Sequence, residues 1–177
     1  LLLNPLRTAW IDAMSSAAVF EPEIERSDFE NVGWIQNRDE AGSAEHRRIE
    51  GAVIPALIDE LVLIAALYAR RGVGLQVRGA RELRFKESDR IAETARLVNA
   101  FGGRVEVFED GFEVAPGHQL HPATLDVSTD HRVALSALVL ALSIEGESCL
   151  QGYEIATVSF PGADESFRRL GADIEVV

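Results

Sequence analysis

The chain has 177 residues, 47% hydrophobic and 26% charged, enough for one filled core or one lobe of a larger protein and unlike a disordered tail. Its 17 basic and 29 acidic side chains leave a net charge of −12, which argues against whole-surface attraction to nucleic acid or anionic lipid. A single cysteine, Cys149, excludes an intrachain disulfide and fits a reducing, cytoplasmic setting.

Leu1 to Leu3 read as the end of a strand, and Asn4-Pro5 suits a helix start, with Trp10, Met14 and Ala17 on one stripe. Phe20 to Ile24 and Val32 to Ile35 are short and β-like, while residues 37 to 48 are polar and read as an exposed connection. Pro55 opens an apolar helix that runs to Arg71 and stops at Gly72. Val73, Leu75 and Val77 alternate as a strand, and Ile91, Ala95, Val98 and Phe101 form an amphipathic helix ended by Gly102-Gly103. Val105-Val107 and Phe112-Val114 flank Asp110-Gly111, a two-residue hairpin signal. A strand ends at Leu125 and Val127, and a helix then starts near Asp130. A strand over 149–153, a helix over 161–170 and a strand over 174–177 complete the pattern.

Residues 96–107 resemble residues 167–176: each is a helix end, a small-residue turn and an alternating strand. Repetition of one supersecondary block argues for an α/β lobe. The longest apolar stretch, Val53 to Ala69, carries Asp59 and Glu60 and is short for a bilayer, so no membrane span is expected. The opening within a strand-like run, without Met, is read as the start of a fragment or an incomplete lobe.

Four helix starts carry polar or charged clusters: Asn4 to Arg7, Pro55 to Asp59, Lys86 to Arg90, and Asp130 to Arg132. Helix N-termini present unpaired N–H groups and a partial positive charge, so parallel starts would build an anion-binding face on an acidic protein. From Arg78 to Arg96 there are six basic and four acidic residues, against the acidic background. Capping and i,i+4 pairing would explain such a run. The only lysine among seventeen basic residues, Lys86, points instead to a site that needs a compact ammonium.

Asp130 suits an N-cap, whereas His131 and Arg132 in the first turn oppose the helix dipole and favour an anionic ligand. Asp59 lies in the first turn of the helix opened by Pro55, among apolar neighbours, a setting that suits a proton acceptor, with Glu60 beside it as the exposed, paired carboxylate. His46, His118 and His121 read as surface residues, and Trp10 and Trp34 as core. No zinc spacing, phosphate loop or dinucleotide fingerprint is present, so no metal and no organic cofactor are expected.

Five stretches resemble the 5-enolpyruvylshikimate-3-phosphate synthase family in that family's order: Asn4-Pro5-Leu6-Arg7-Thr8, Leu57-Ile58-Asp59-Glu60, Leu83 to Ile91, Asp130-His131-Arg132 and Ser159-Phe160-Pro161. The resemblance implies an α/β (α+β) lobe of repeated βαβαββ units with helices packed inside and sheets outside. It implies that residues 1–177 form most of a C-terminal lobe, without the N-terminal lobe. The implied reaction moves the carboxyvinyl group of phosphoenolpyruvate to the 5-hydroxyl of shikimate 3-phosphate, without cofactor. Asp59 would contact the shikimate moiety and accept a proton, Lys86 would touch shikimate 3-phosphate, and Glu87 would handle protons at the phosphoenolpyruvate methylene. Arg90 and Arg132 would clamp phosphoenolpyruvate, with His131 beside them.

One departure stands out: the family usually carries Lys before its Ser/Thr-Phe-Pro run, and Val158 occupies that place here. Nearly no activity is expected of the chain alone, because the implied reaction positions two anions between two charged walls and the chain matches one of them, with self-association through exposed apolar surface as a further expectation. A non-catalytic anion-binding relic is the rival reading. A relative acting on RNA ends is a third, opposed by the negative charge.

Overall fold

The computed structural model describes residues 2–4, 35–37 and 46–176, with side chains from residue 46 onward. The expectations at Pro5, Arg7, Trp10, Met14, Ala17, Phe20 to Ile24 and Trp34 lie outside these residues.

Two sheets hold the strands. The five-stranded sheet contains β2 (Ile35–Asn37), β3 (His46–Ile49), β4 (Gly74–Val77), β5 (Val105–Phe108) and β6 (Gly111–Val114), in the order β2-β3-β4-β6-β5. The four-stranded sheet contains β1 (Leu2–Asn4), β7 (Thr124–Asp126), β8 (Ser148–Gln151) and β9 (Asp173–Glu175), in the order β7-β8-β1-β9. Helices α1 (Ile54–Leu57) and α2 (Leu61–Arg71) cross from β3 to its parallel neighbour β4, and α3 (Arg90–Ala100) leads from β4 to the β5–β6 hairpin. That order is one complete βαβαββ unit. Helices α4 (His131–Leu142) and α5 (Ala163–Arg169) build the second, β7-α4-β8-α5-β9, in which β1 takes the place that β6 holds in the first. The two similar sequence stretches fall at equivalent places, α3–β5 and α5–β9. Each helix is followed by a glycine at positive φ, Gly102 (+89°) and Gly171 (+97°), where a left-handed residue closes the helix end.

Helices α2 and α3 lie between the sheets, and α2 shows why it is apolar on most sides. Leu61, Ala65 and Ala69 pack with Ile49, Leu75, Val77 and Phe112 of the five-stranded sheet; Val62 and Ala66 pack with the core under β7, β8 and β9. Helix α3 divides in the same way, Val98 to one side and Leu97 and Phe101 to the other. Each fully buried aliphatic side chain contributes about 1.5–3 kcal/mol relative to exposure.

Three sequence expectations need correction. Residues 37–48 are not a plain exposed connection, because they contain β3, whose Arg47 and Arg48 break any apolar alternation and leave Ile49 as its buried residue. The helix opened by Pro55 is broken: residues 58–60 form a turn, and its two halves meet at 103°. The hairpin turn is Glu109-Asp110, one residue earlier than Asp110-Gly111, since Phe108 pairs with Gly111. Gly111 is needed for a different reason: a Cβ there would sit 2.0 Å from the Val77 carbonyl oxygen of the adjacent strand.

Among the described residues no single helix is long and apolar enough to cross a membrane. The bent pair α1–α2 reaches the length only in two pieces, and α2 is committed to both cores.

Candidate functional site

The break between α1 and α2 places Asp59 against the starts of α3 and α4. Arg90, the first residue of α3, donates from Nη1 to Asp59 Oδ1 (2.8 Å), from Nη2 to Glu87 Oε2 (2.6 Å), and from Nε to Asp130 Oδ2 (2.9 Å). Its side chain is 1% exposed. Arg132, in the first turn of α4, lies 3.4 Å from Asp59 Oδ2 through Nη2 and donates from Nη1 to the Asp59 main-chain carbonyl at 3.2 Å. A second carboxylate, Glu60, stands 3.6 Å from Nη1. One carboxylate, Asp59, thus receives two guanidinium groups from two different helices.

Asp130 organises this arrangement from below. Its carboxylate accepts the main-chain N–H of Arg132 (2.9 Å), the Ser88 hydroxyl (2.9 Å) and Arg90, so the α4 cap and the Arg90 anchor are the same group. Burial works against the charged Asp130, but the hydrogen bonds from Arg90, the Arg132 amide and Ser88 hold its carboxyl below the usual range. Burial likewise works against the charged Arg90, yet the hydrogen bond and charge of Asp130, with Asp59 and Glu87 adding to them, raise its pKa above the ordinary arginine value.

Lys86 and Glu87 precede α3 rather than opening it, because Asp89 is the N-cap and accepts from the amides of Ile91 and Ala92. Lys86 Nζ donates to Glu82 Oε1 at 2.6 Å. That hydrogen bond holds the ammonium above its ordinary pKa against the opposing effect of burial; the charges of Glu82 and Asp59 add to it, while Arg90 opposes. Lys86 therefore shares the electrostatic field of the Asp59–Arg90 pair. Half-buried His131 is next to Arg132 in the chain but joins none of the cluster's hydrogen bonds or ion pairs. Val158 ends the 3-10 turn Tyr153–Val158, 69% exposed and without charge to offer.

Two expectations change here. Asp59 is not surrounded by apolar side chains, because it is 40% exposed and flanked by two guanidinium groups. The starts of α3 and α4 do converge beside the turn that holds Asp59, but the cap carboxylates of Asp89 and Asp130 occupy amides expected to be open to a ligand. The positive charge at this cluster comes from side chains. Sequence reasoning also passed over Ser88, Glu60, Glu82 and the anchoring role of Asp130; the run from Glu82 to Arg90 was the available signal, but it does not reveal a partner forty residues away.

The family model for EPSP synthase (3-phosphoshikimate 1-carboxyvinyltransferase) matches residues 3–167 of this chain. The chain belongs to the EPSP synthase family. A 3-phosphoshikimate 1-carboxyvinyltransferase from Koribacter versatilis is 37% identical over 163 residues, 91% of this chain and 38% of the relative. One of the same name from Roseiflexus castenholzii is 38% identical over 172 residues, 95% of this chain and 39% of the relative. Among solved structures, EPSP synthase from Acinetobacter baumannii superposes with a TM-score of 0.67 at 24% identity, over 83% of this chain and 39% of that one, which establishes the shared fold. The chain spans under two fifths of the length of these EPSP synthase family relatives.

Proposed function

We propose that this chain supplies one wall, corresponding to the C-terminal lobe, of a 3-phosphoshikimate 1-carboxyvinyltransferase site. Its substrates are phosphoenolpyruvate and shikimate 3-phosphate, and the remaining wall comes from a segment equivalent to the rest of its relatives. The observation that carries this reading is the meeting of Arg90 and Arg132 on Asp59. Two guanidinium groups held together by a carboxylate suit the carboxylate and phosphate of phosphoenolpyruvate, each of which offers a pair of oxygens to a guanidinium fork. Lys86 steadies shikimate 3-phosphate near its 5-hydroxyl, Asp59 takes the hydroxyl proton as the oxygen bonds to C2 of phosphoenolpyruvate, and Glu87 delivers a proton to the methylene. Loss of phosphate and of one methyl proton then restores the double bond. His131 borders the clamp.

The three cations Lys86, Arg90 and Arg132 stand among five carboxylates, Asp59, Glu60, Glu82, Glu87 and Asp130. Binding of two multiply charged anions requires some of these contacts to exchange and further positive charge to arrive from the second wall. The isolated chain is accordingly nearly inactive, since catalysis of this kind depends on positioning between two charged surfaces. A cytoplasmic location and self-association through Val158, Phe160 and Leu170, which are 69%, 43% and 55% exposed, belong to the same proposal.

The test is a chimera in which this chain replaces the equivalent segment of the Koribacter versatilis relative, assayed for phosphate release from phosphoenolpyruvate with shikimate 3-phosphate. Turnover supports the transferase reading. A folded chimera that is silent both with Val158 and with Val158→Lys supports the relic.

A further inference from the structure

We infer that Arg84 is a positioning residue that ties the segment bearing Lys86 and Glu87 to the tip of the β5–β6 hairpin. Arg84 uses its whole fork: Nε donates to the Glu109 carbonyl (2.9 Å), Nη2 to the Phe108 carbonyl (2.7 Å) and Nη1 to Asp89 Oδ2 (2.6 Å). The Arg84–Asp89 ion pair closes a six-residue ring of chain that contains Lys86, Glu87 and Ser88. Asp89 Oδ1 meanwhile caps α3, so the ring is fixed to the helix whose first residue is Arg90. The hairpin tip grips the beginning of the same segment. Asp110 accepts the Gly79 amide (2.9 Å) and Arg78 (3.0 Å) on its carboxylate, and the Ala80 amide (2.7 Å) on its main-chain carbonyl. The Gly79 amide, more than the Arg78 charge, holds the Asp110 carboxyl below its usual range.

The hairpin is itself packed tightly against β4, because Gly111 lies where even a Cβ would meet the Val77 carbonyl. Rigidity therefore passes from the sheet through the tip to Arg84, and from Arg84 to both ends of the Lys86–Glu87 segment. A lysine at 84 would keep the charge but lacks the planar fork needed to reach two carbonyls and a carboxylate at once. The catalytic meaning of this tie rests on the roles proposed for Lys86 and Glu87; the tie itself is read without any ligand.

The experiment is NMR on the full 177-residue chain, with backbone relaxation over residues 85–88 and reductive ¹³C-methylation of Lys86, the only lysine in the chain. Arg84→Ala is expected to drop order parameters there from about 0.85 to below about 0.6, with sharpened Lys86 methyl signals and unchanged core amide shifts. Arg81→Ala removes only the 3.3 Å exposed pair with Glu109 and is expected to leave Lys86 unmoved. If Arg84→Ala does not fold, backbone relaxation of Arg84→Lys decides, the methyl probe being set aside because this variant carries a second lysine: a mobilised segment supports the tie, and a rigid one overturns it. A folded Arg84→Ala chain with residues 85–88 as ordered as before also overturns it. Neither readout depends on activity, so a silent chimera would fail the functional reading while leaving this one to stand or fall alone.

Discussion

Arg90 Nε and Asp130 Oδ2 lie 2.9 Å apart with side chains 1% and 0% exposed, so neither charge is buried without the other. Taking either partner away leaves a charge in the interior with an incomplete shell, whereas the intact pair need not add much net stability. Asp130→Ala is expected to destabilise the fold by about 3–5 kcal/mol, read from the midpoint of urea unfolding. A loss below about 1 kcal/mol would show that water or another group replaces Asp130.

The same pair sets an acid limit. An unfolded Asp titrates near 3.9, and the folded Asp130 lies lower. As pH falls past about 4 the unfolded chain takes up a proton that the native chain still refuses, so stability declines until the folded value is passed. The stabilisation is complete above that window. Asp130→Asn should flatten this part of the stability curve, measured by chemical unfolding between pH 6 and pH 2.5 as a chosen range.

Tyr153 sets an alkaline limit. Burial, and to a lesser degree the charge of Asp164, push its hydroxyl up to about 12, and no hydrogen bond partner reaches that buried oxygen. Between the unfolded value near 10 and about 12 the unfolded chain releases a proton that the native chain keeps, so stability falls by about 1.4 kcal/mol per pH unit. Tyr153→Phe should remove that slope and be neutral or slightly stabilising at pH 7, checked by unfolding at both pH values.

These residues also show what could be read without coordinates. A repeated helix–turn–strand block was visible because α3–β5 and α5–β9 share a glycine-closed turn, the full βαβαββ unit coming only from the family resemblance, and Lys86, Arg90 and Arg132 stood out by type and place. Strand β3 was hidden because Arg47 and Arg48 face a sheet whose only buried contribution from that strand is Ile49. The turn at Asp59 was hidden because Ile58 and Leu61, on either side of it, are both core residues, so the apolar pattern runs unbroken across a sharp bend. The Asp110-Gly111 pair was read as a turn, while its real work is to staple residues 79–80 and to let the hairpin sit against β4.

That close approach is testable by itself. Gly111→Ala must move β4 or β6 to relieve a 2.0 Å contact with backbone, so a loss of about 1–3 kcal/mol is expected in thermal or urea unfolding. Gly117→Ala meets nothing within 4 Å and is strained only by its φ of +79°, for a loss of about 1–2 kcal/mol.

Glu87 holds Arg90 Nη2 at 2.6 Å, where an incoming carboxylate would bind, and is 52% exposed. Glu87→Gln should therefore have opposite effects on binding and turnover. Affinity for phosphoenolpyruvate rises roughly two- to fivefold, given the modest worth of an exposed ion pair. Turnover of the chimera falls by about 10²–10⁴, as expected for loss of a proton-transfer group. Calorimetry and the phosphate-release assay separate the two.

The most direct measurement is titration of the isotope-labelled chimera, in which the second wall is present, with phosphoenolpyruvate while the Nε resonances of Arg90 and Arg132 are followed. The account predicts that both move together, with the amides of residues 86–91 and 131–133, and that Arg132→Ala abolishes the response at Arg90. Shifts confined to other parts of the chain, or none at millimolar phosphoenolpyruvate, would contradict it.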